Sequence, residues 1–416
     1  MSSTAFDVGF IRTLFPSLAR SVRGQPAVFL DGPSGTQVPQ SVIDAVGRYY
    51  VQSNANNGGK YETSQQTDEL TTATRQGMAQ FFGCDADEVV FGANMTSLTF
   101  ALARAIGRGL KSGDEIVVTA LDHDANVAPW RALEERGVTV REVRVRTADC
   151  TLDLEDLQAK LSSRTRLVAV GYASNAVGTI NPVKQITQMC HAAGALVYID
   201  AVHFAPHGAI DVANIGCDFL ACSSYKFYGP HLGVLFGRKD LLRRYQPYKV
   251  RAASDSVPAC WETGTPAFEL LAGLTATLAY IAEVGRRANS SAQGTRAAIE
   301  EAFRQFSAHE RALASTLLNG LRDIEGVQVF GITDPARMQE RCSTVSIRVP
   351  RLPSAQLATA LGQRGFFVGN GNCYALRLSG ELELESAGSF LRLGLVHYNS
   401  EQEVQRLLGA LEEIVN

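Results

Sequence analysis

The chain has 416 residues, a formal net charge of −3, and a composition with 45% apolar and 19% charged residues. This composition supplies a large hydrophobic core, and the length predicts two or three domains, or one large domain with a smaller one. The small net charge and the scattered Lys and Arg residues argue against nucleic acid or an anionic membrane as a partner. No apolar run reaches the roughly 20 residues of a transmembrane helix, so no membrane partner is expected.

The eight cysteines are spaced unlike any zinc module and include no C-x-x-C pair, so no metal site is expected. The amino-terminal segment MSSTAFDVGFIRTLFPSL has no basic stretch followed by an apolar one, which argues against a secretory signal. A chain of this length is able to build its core without disulfides. The expected state is therefore reduced thiols in the cytoplasm.

From about Asp87 onward, short apolar runs alternate with helix-like stretches. The predicted strands are EVVFG, DEIVVTAL, TRLVAVGYAS, ALVYIDAV, FLACSS and GVLFGR. The predicted helices that follow the first three of these strands are TSLTFALARAIGRGL, APWRALEERG and PVKQITQMCHAAG. Runs such as LVAVGY are apolar at every position, as expected for strands buried on both faces. The pattern predicts an α/β fold with a mostly parallel sheet covered by helices.

After about residue 268 the pattern changes. ELLAGLTATLAYIAEVG and residues 293–321 predict long helices, and STVSIRV, FFVGN and FLRLGLV predict strands before the closing helix SEQEVQRLLGALEEIV. This indicates a second, smaller α+β unit. The predicted large domain is 22–280, and the predicted small domain combines 1–21 with 281–416.

Two polar residues follow predicted strands of the large domain. Asp200 ends the strand LVYID, and Lys226 lies just past FLACSS. Ligands of open α/β sheets bind outside the carboxyl ends of the strands. A lysine and a carboxylate facing one crevice suit pyridoxal 5′-phosphate (PLP), because the amine forms an imine and the carboxylate keeps the pyridine nitrogen protonated. Taken alone, Asp200 fits a turn residue and Lys226 fits a solvated loop residue equally well.

Several segments together resemble the class V aminotransferase superfamily, and specifically its cysteine desulfurase and selenocysteine lyase branch. They are FLDGPSGTQVP, SNANNGG, FGANMTSL, LDHDANVAPW, YASNAVGTINP, YIDAVHFAPH, CDFLACSSYKFYGPHLGVLFGR, WETGTP and FLRLGLVHYN. They occur in the order and at the spacing of that family, over nearly the whole chain. The resemblance implies a PLP-dependent transferase fold of type I and a homodimer with its active site at the interface.

The resemblance also implies roles at the cofactor ring. Lys226 resembles the lysine that forms the Schiff base, and Asp200 the partner of the pyridine nitrogen. His123 is similar to the imidazole that stacks on the ring and moves protons. Asn175 and His203 would face the phenolic oxygen, although the family often has Gln at the position of His203.

A helix start and two loops are expected at the cofactor phosphate. The residues expected there are Ser223, Tyr225, Asn94, Met95, Thr96 and, from the other subunit, Thr265. Free amides and the positive dipole end of a helix attract phosphate, and GANMTSLTF begins a predicted helix. Two departures from the family occur here. Tyr225 replaces the usual His, and Asn94 and Met95 replace two threonines, so backbone amides are expected from both together with the Thr96 hydroxyl.

The resemblance also implies roles in the reaction for Arg392 and Cys373. Arg392 resembles the arginine that binds the substrate carboxylate, a role suited to a planar guanidinium. Cys373 lies at roughly the place of the cysteine that takes sulfur from the substrate, a role for which an exposed, partly ionised thiol is expected. The basic and His residues that usually surround it are absent, and an acidic insertion, GELELESAG, follows. The alternatives to these roles are that Arg392 is a surface residue and that Cys373 is a structural thiol.

Three hypotheses follow for the function. The first is a cysteine desulfurase that converts L-cysteine into L-alanine and an enzyme persulfide, with a sulfur-acceptor protein as a further partner. The second is another PLP reaction of the superfamily, such as a C–S lyase, an epimerase or an aminotransferase. The third is a non-catalytic dimer that binds a phosphate ligand at the GANMTS helix start.

Overall fold

Two large sheets and two short hairpin pairs organise the computed structural model, which describes residues 6–384 and 388–416. The strands in this part of the chain are β1 (Ser21–Val22), β2 (Gln25–Pro26), β3 (Val28–Leu30), β4 (Val89–Gly92), β5 (Glu115–Thr119), β6 (Thr139–Val143), β7 (Val145–Arg146), β8 (Thr151–Leu152), β9 (Thr165–Gly171), β10 (Leu196–Asp200), β11 (Phe219–Ser223), β12 (Gly233–Gly237), β13 (Gln328–Phe330), β14 (Thr344–Arg348), β15 (Phe366–Gly371) and β16 (Phe390–Gly394).

The helices cover both sheets. Within the described residues they are α1 (Val8–Thr13), α2 (Gln40–Gln52), α3 (Glu62–Phe82), α4 (Met95–Gly107), α5 (Ala128–Arg131), α6 (Leu154–Lys160), α7 (Val183–Ala192), α8 (Val212–Ile215), α9 (Lys239–Arg244), α10 (Phe268–Ala288), α11 (Thr295–Asp323), α12 (Ser354–Gln363), α13 (Leu376–Glu381) and α14 (Glu401–Val415).

The larger sheet has the strand order β4-β12-β11-β10-β9-β5-β6. Only β12 runs against its neighbours, and every other pairing in the order from β11 to β6 is parallel. The central strands are buried on both faces, in agreement with their continuous apolar runs. The predicted α/β fold with a mostly parallel sheet is confirmed. Strand β10, which ends at Asp200, and strand β11, which leads into Lys226, are direct parallel neighbours, with Asp200 paired to Ala221.

The smaller sheet has the order β13-β14-β16-β15-β3, and α11, α12 and α14 pack on it around a separate core cluster. Its last strand, β3, comes from the amino-terminal part of the chain and pairs in parallel with β15. Its residues fall inside the range 22–280 that was predicted for the large domain, although they belong to the smaller sheet. The domain limits themselves stay a prediction.

Helix α10 is long and apolar enough to cross a membrane by length and composition, with a mean hydropathy of 1.3 in its most apolar window. It packs against α2, α3 and α11, and 61% of that window is buried inside the protein. Such burial is typical of a core helix, because hydrophobic residues all round a helix also suit the interior of a large domain.

Two sequence expectations change in the structure. The predicted helix APWRALEERG is the short α5 followed by a 3₁₀ turn, Ala132–Arg136, which ends at Gly137 with φ +79°. Strand β6, which follows at once, was not predicted because its sequence TVREV, at the sheet edge, contains the adjacent charged residues Arg141 and Glu142 and forms no apolar run. The acidic insertion GELELESAG begins in α13, and its residues 385–387 lie outside the described part of the chain.

Candidate active site

A cavity of about 840 Å³ opens at the carboxyl ends of β5, β9, β10 and β11 and reaches the smaller sheet. All of the predicted site residues except Thr265 line it, namely Lys226, His123, Cys373, Asp200, His203, Asn175, Ser223, Tyr225, Asn94, Met95, Thr96 and Arg392. The position agrees with the rule that open α/β sheets bind ligands beyond their strand ends. Thr265 is exposed and lies outside the lining of this cavity.

Lys226 ends a 3₁₀ turn, Ser224–Lys226, directly after β11. Its Nζ donates a hydrogen bond to the Pro33 carbonyl oxygen and lies 4.8 Å from the centroid of the Tyr225 ring. Burial lowers the pKa of Lys226 to about 7, helped by the charge of Arg392 and opposed by Asp200. A large fraction of this amine is therefore neutral near pH 7, which is the form that reacts with an aldehyde.

We expect the rate at which the cofactor-free protein captures PLP to rise about tenfold per pH unit below about 7 and to level off above it, because only neutral Lys226 reacts. Stopped-flow absorbance on both sides of pH 7 measures this. In Asp200→Asn the midpoint should move to lower pH, because the Asp200 carboxylate raises the pKa of Lys226. A midpoint near that of a solvated lysine, about 10.4, would contradict the expectation.

Asp200 is 7% exposed, and its Oδ1 accepts the Val202 amide at 2.8 Å. Burial raises the pKa of Asp200 to about 6, although this hydrogen bond and the charge of Lys226 favour the carboxylate. Asp122 lies beside it in the cavity wall and accepts the Gly171 amide at 2.7 Å. A buried carboxylate of this kind gains stability from a protonated nitrogen placed against it.

His123 follows β5 and caps the 3₁₀ turn Asp124–Asn126. Its Nδ1 accepts the Ala125 amide at 3.0 Å, so the proton of the neutral ring is on Nε2. Burial lowers the pKa of His123 to about 4, and the charges of Lys226 and Arg392 act in the same direction. The imidazole is therefore neutral at physiological pH. It stacks on Tyr374, with ring centroids 5.1 Å apart and planes at 23°.

The start of α4 forms one end of the cavity. Asn94 caps the helix by accepting the Ser97 amide at 2.8 Å, and the Met95 amide donates to Ser223 Oγ at 2.9 Å. The Thr96 amide has no acceptor within the described part of the chain, which leaves it for an anion. Gly233 allows this close packing, because a Cβ there would lie 2.4 Å from the Asn94 carbonyl carbon.

The residues that line the cavity without a role assigned from the sequence include Ser34, His231 and Tyr374. The rings of Tyr225 and His231 stack in parallel, 4.5 Å apart at 6°. An imidazole thus lies beside the tyrosine that replaces the usual family histidine. The sequence signal was present in SSYKFYGPH, but only the fold shows that the two rings meet.

Arg392 lies on β16 and is 5% exposed. Its Nη1 donates to the Asn175 carbonyl oxygen at 2.9 Å and its Nη2 to Ser34 Oγ at 2.8 Å, while Nε is buried without a partner in the described residues. Asn175 Nδ2 in turn donates to the Cys373 carbonyl oxygen at 2.7 Å. Residues from both sheets are thus held together around one cation.

The sequence profile of the family described as Aminotransferase class-V matches residues 28–407. The chain belongs to the class V aminotransferase family. Two curated relatives support this. It is 30% identical to a "Probable cysteine desulfurase" of Halalkalibacterium halodurans over 97% of each chain. It is 31% identical to a "Cysteine desulfurase" of Pectobacterium atrosepticum over 99% of this chain and 98% of the relative.

Solved structures of class V enzymes match the whole fold. The apo structure of a cysteine desulfurase from Thermococcus onnurineus NA1 has a TM-score of 0.87 and 26% identity, and covers 100% of this chain and 99% of its own. The cysteine desulfurase CsdA from Escherichia coli has a TM-score of 0.85 and 25% identity, over 99% and 98% of the two chains. The fold is that of PLP-dependent transferases of type I, as predicted.

Class V aminotransferases depend on PLP, and the expected cofactor and enzyme class are thereby confirmed. The residues present fit this cofactor. Asn175 Oδ1 is a buried polar atom without a partner in the described residues, and Lys226 supplies a partly neutral amine. The α4 start and Ser223 line the same cavity and offer the Thr96 amide and a hydroxyl to the phosphate. The third hypothesis, a non-catalytic phosphate binder, is not supported.

Proposed function

We propose that the protein is a cysteine desulfurase, which converts L-cysteine into L-alanine while Cys373 becomes a persulfide. The family and the named activity of the relatives support the reaction class. The observation that carries the assignment is the position of Cys373. Its thiol lines the same cavity as Lys226 and Arg392, and the charges of both act on it.

The backbone around Cys373 favours an inward thiol. Cys373 and Tyr374 have φ of +54° and +60°, a left-handed conformation that residues other than glycine rarely adopt. The Tyr374 carbonyl oxygen accepts the Asp124 amide at 2.9 Å, and Asn175 binds the preceding carbonyl. These contacts hold two strained residues over the cavity. Such strain is commonly kept at functional sites.

The Cys373 thiol differs from the exposed and partly ionised group expected from the sequence. It is half-buried, and its Sγ lies 3.5 Å from the Gly371 carbonyl oxygen. Burial raises the pKa of Cys373, and the charges of Arg392 and Lys226 offset this only in part. The thiol therefore needs a proton acceptor in the cavity before it attacks sulfur.

The chain supplies each group that the reaction requires. When bound, PLP supplies the electron sink that acidifies the α-hydrogen of an amino acid. In this proposal Lys226 Nζ would take up the α-proton, Asp200 would hold a proton on the pyridine nitrogen, and Arg392 would bind the substrate carboxylate. Neutral His123 is available to exchange protons. Cys373 loses its thiol proton and receives the substrate sulfur as the C–S bond breaks, so that L-cysteine and Cys373 give L-alanine and a persulfide.

Product analysis with L-cysteine tests the proposal. A desulfurase releases L-alanine and leaves sulfur on the enzyme, whereas the alternative C–S lyase releases pyruvate and ammonia. L-Selenocysteine and S-substituted cysteines define the substrate range, and the latter should be poor substrates if Cys373 must reach an unsubstituted sulfur. Pyruvate as the main product would refute the desulfurase assignment and favour the lyase.

Arg392→Lys should raise KM for the amino acid by about 10- to 100-fold with a smaller change in kcat, because lysine keeps the charge but loses the planar pair of hydrogen bonds. Steady-state kinetics at saturating PLP measures this. The control is Arg364→Lys, an exposed arginine outside the cavity. Equal effects in the two variants would exclude Arg392 as the carboxylate site.

We also propose a homodimer in which Thr265 reaches the cofactor phosphate of the partner subunit. Thr265 is exposed and outside the cavity of its own chain, so a role at the phosphate requires a second copy. Tyr50 and Val51, at the end of α2, are 53% and 85% exposed and provide apolar surface for such contact.

Mixing two variants tests this arrangement. Thr265→Ala should weaken PLP binding by roughly tenfold, and Lys226→Ala should be inactive. The mixture is assayed at a PLP concentration well below the Kd of Thr265→Ala, where both parent variants are nearly inactive. After subunit exchange about half of the dimers are mixed and each has one site with both residues, so activity should return to about one quarter of the wild-type value. Mixing without any gain would mean that Thr265 does not act across the interface.

We infer that the persulfide is passed to a sulfur-acceptor protein at the Cys373 opening. Tyr374 and Leu376 are 68% and 46% exposed next to Cys373 and offer apolar contact surface there. All eight cysteines lie in described residues and are free thiols, which supports the proposed reducing, cytoplasmic location.

A further inference from the structure

A chain of buried polar side chains leads away from the active-site cavity behind His203. His203 and His207 are 4% and 6% exposed, and their ring centroids are 5.1 Å apart. His207 Nδ1 lies 2.6 Å from Glu310 Oε2, and Glu310 is 3% exposed. None of these contacts is needed to hold the cofactor phosphate or the substrate carboxylate. Burying polar groups at this depth costs folding free energy unless they are hydrogen-bonded.

The two ends of this row of buried side chains open into different cavities. His203 lines the active-site cavity. His207 and Glu310 line a separate side cavity of about 260 Å³, which also reaches the exposed residues Arg311 and Gln339. Side chains of three buried residues therefore bridge the space between the cofactor site and a cavity that leads to the surface.

The atoms between the cavities have unused hydrogen-bonding capacity. His203 Nε2 and Glu310 Oε1 are buried without a partner in the described residues. Glu310 Oε2 lies against Nδ1 of His207, which leaves Nε2 as the ring nitrogen that is not bound to Glu310. Ring atoms of His203 and His207 lie within 4.8 Å of each other, a gap that one water molecule or a small ring rotation closes.

We propose that His203, His207 and Glu310 form a proton-transfer path between the active-site cavity and the side cavity. A proton that reaches His203 from the active site leaves from its Nε2 to Nε2 of His207. The Nδ1 proton of His207 passes at the same time to Oε2 of Glu310, which becomes a neutral acid and releases the proton into the side cavity. Each step moves one proton and leaves both rings neutral with their protons on the opposite nitrogens, so ring rotation or exchange with water restores the starting tautomers before the next transfer. The inference concerns the site of the proposed function but does not require L-cysteine as the substrate.

The groups around the path are consistent with this role. Ser343 Oγ donates to the Leu395 carbonyl oxygen at 2.6 Å and lies 3.2 Å from Glu310 Oε2, the alternative acceptor of its single proton. The buried Arg341 guanidinium is bound by the backbone carbonyls of Ile332, Val177 and Thr344 and makes no ion pair with Glu310. Glu310 therefore keeps one oxygen free to accept a proton.

Cys342 belongs to the same cluster and gives the competing interpretation. Its thiol lies within 4.8 Å of both rings, so the three side chains offer ligands to a divalent metal. A metal would occupy the lone pairs that the path requires. Metal content thus separates the two possibilities.

The test uses the PLP-loaded full-length enzyme and the exchange of substrate α-protons in D₂O, followed by NMR. This reaction needs no sulfur chemistry, so its result is independent of the desulfurase proposal. Several L-amino acids, L-alanine included, are compared, and the one that the wild type exchanges fastest is used. His207→Gln and Glu310→Gln should slow exchange by about tenfold or more, while the absorbance of bound PLP and the Tm stay unchanged. Glu310→Gln retains the hydrogen bond from His207 and loses only the ability to take up a proton.

Two controls and two further measurements complete the design. His309→Gln changes the neighbour of Glu310 on α11, a histidine that binds the Asn399 carbonyl oxygen away from the path. Cys342→Ser removes the thiol of the cluster. Both variants should exchange α-protons at the wild-type rate. Histidine-selective ¹⁵N NMR of the cofactor-free protein should find His207 protonated on Nδ1. Unchanged exchange in both path variants, a wild type that exchanges no α-proton, or a stoichiometric metal that Cys342→Ser abolishes would each overturn the proposal.

Discussion

Replacing Lys226 by alanine should lower turnover with every amino-acid substrate by about 10³- to 10⁴-fold. Lys226 is both the amine that holds the cofactor and the acceptor of the α-proton, and alanine provides neither. PLP should still bind through the α4 start and Ser223, but with the absorbance of the free aldehyde. Spectra of the reconstituted variant and single-turnover kinetics measure the two effects separately.

Removing the charge of Lys226 also shifts the pKa values of neighbouring residues in a defined direction. The charge of Lys226 lowers the pKa of His123 and of Asp200, so both values should rise in Lys226→Ala. Lys226→Arg restores the charge without an amine that can form the imine. It should therefore restore the ionisation of Asp200 and His123 without restoring turnover. Substantial turnover in the alanine variant would remove Lys226 from the mechanism. Lys239→Ala, which changes a half-buried lysine paired with Asp87 outside the cavity, controls for non-specific loss.

The strands of the large sheet were predictable because their signal is local. LVAVGY and LVYID are apolar on both faces, and burial between two helix layers requires this composition. Their order in space was not predictable from the same signal. Strand β12 is as apolar as its neighbours, yet it runs back between β11 and β4, and only contacts between distant parts of the chain fix that direction.

The candidate site shows the same division. Asp200 and Lys226 were found because each follows an apolar strand, and the family resemblance added residues as distant as Asn94 and Arg392. Contacts such as His207 with Glu310, 103 positions apart, leave no pattern in the local sequence. The half-burial of Cys373 is another case, because Asn175 and Asp124 bind the carbonyl oxygens of Cys373 and Tyr374 from distant parts of the chain.

Cys373→Ser should abolish sulfur transfer and lower L-alanine release by roughly 10³-fold or more, as expected when a nucleophile is removed. Serine keeps the shape of the loop and is a far weaker acceptor of sulfur, so PLP binding and the α-proton exchange described above should persist. Alanine, pyruvate and enzyme-bound sulfur are measured in parallel with L-cysteine as substrate.

Cys84→Ser is the matched control, because Cys84 and Cys373 are the two cysteines that are not fully buried. Burial raises the pKa of Cys84 as well, only the charge of Arg296 offsets it, and Cys84 lies outside the active-site lining. The control should keep full activity. If Cys373→Ser instead releases sulfide with undiminished alanine or pyruvate, the substrate sulfur leaves without a protein acceptor. The strained Cys373 and Tyr374 backbone would then shape the substrate pocket of a lyase.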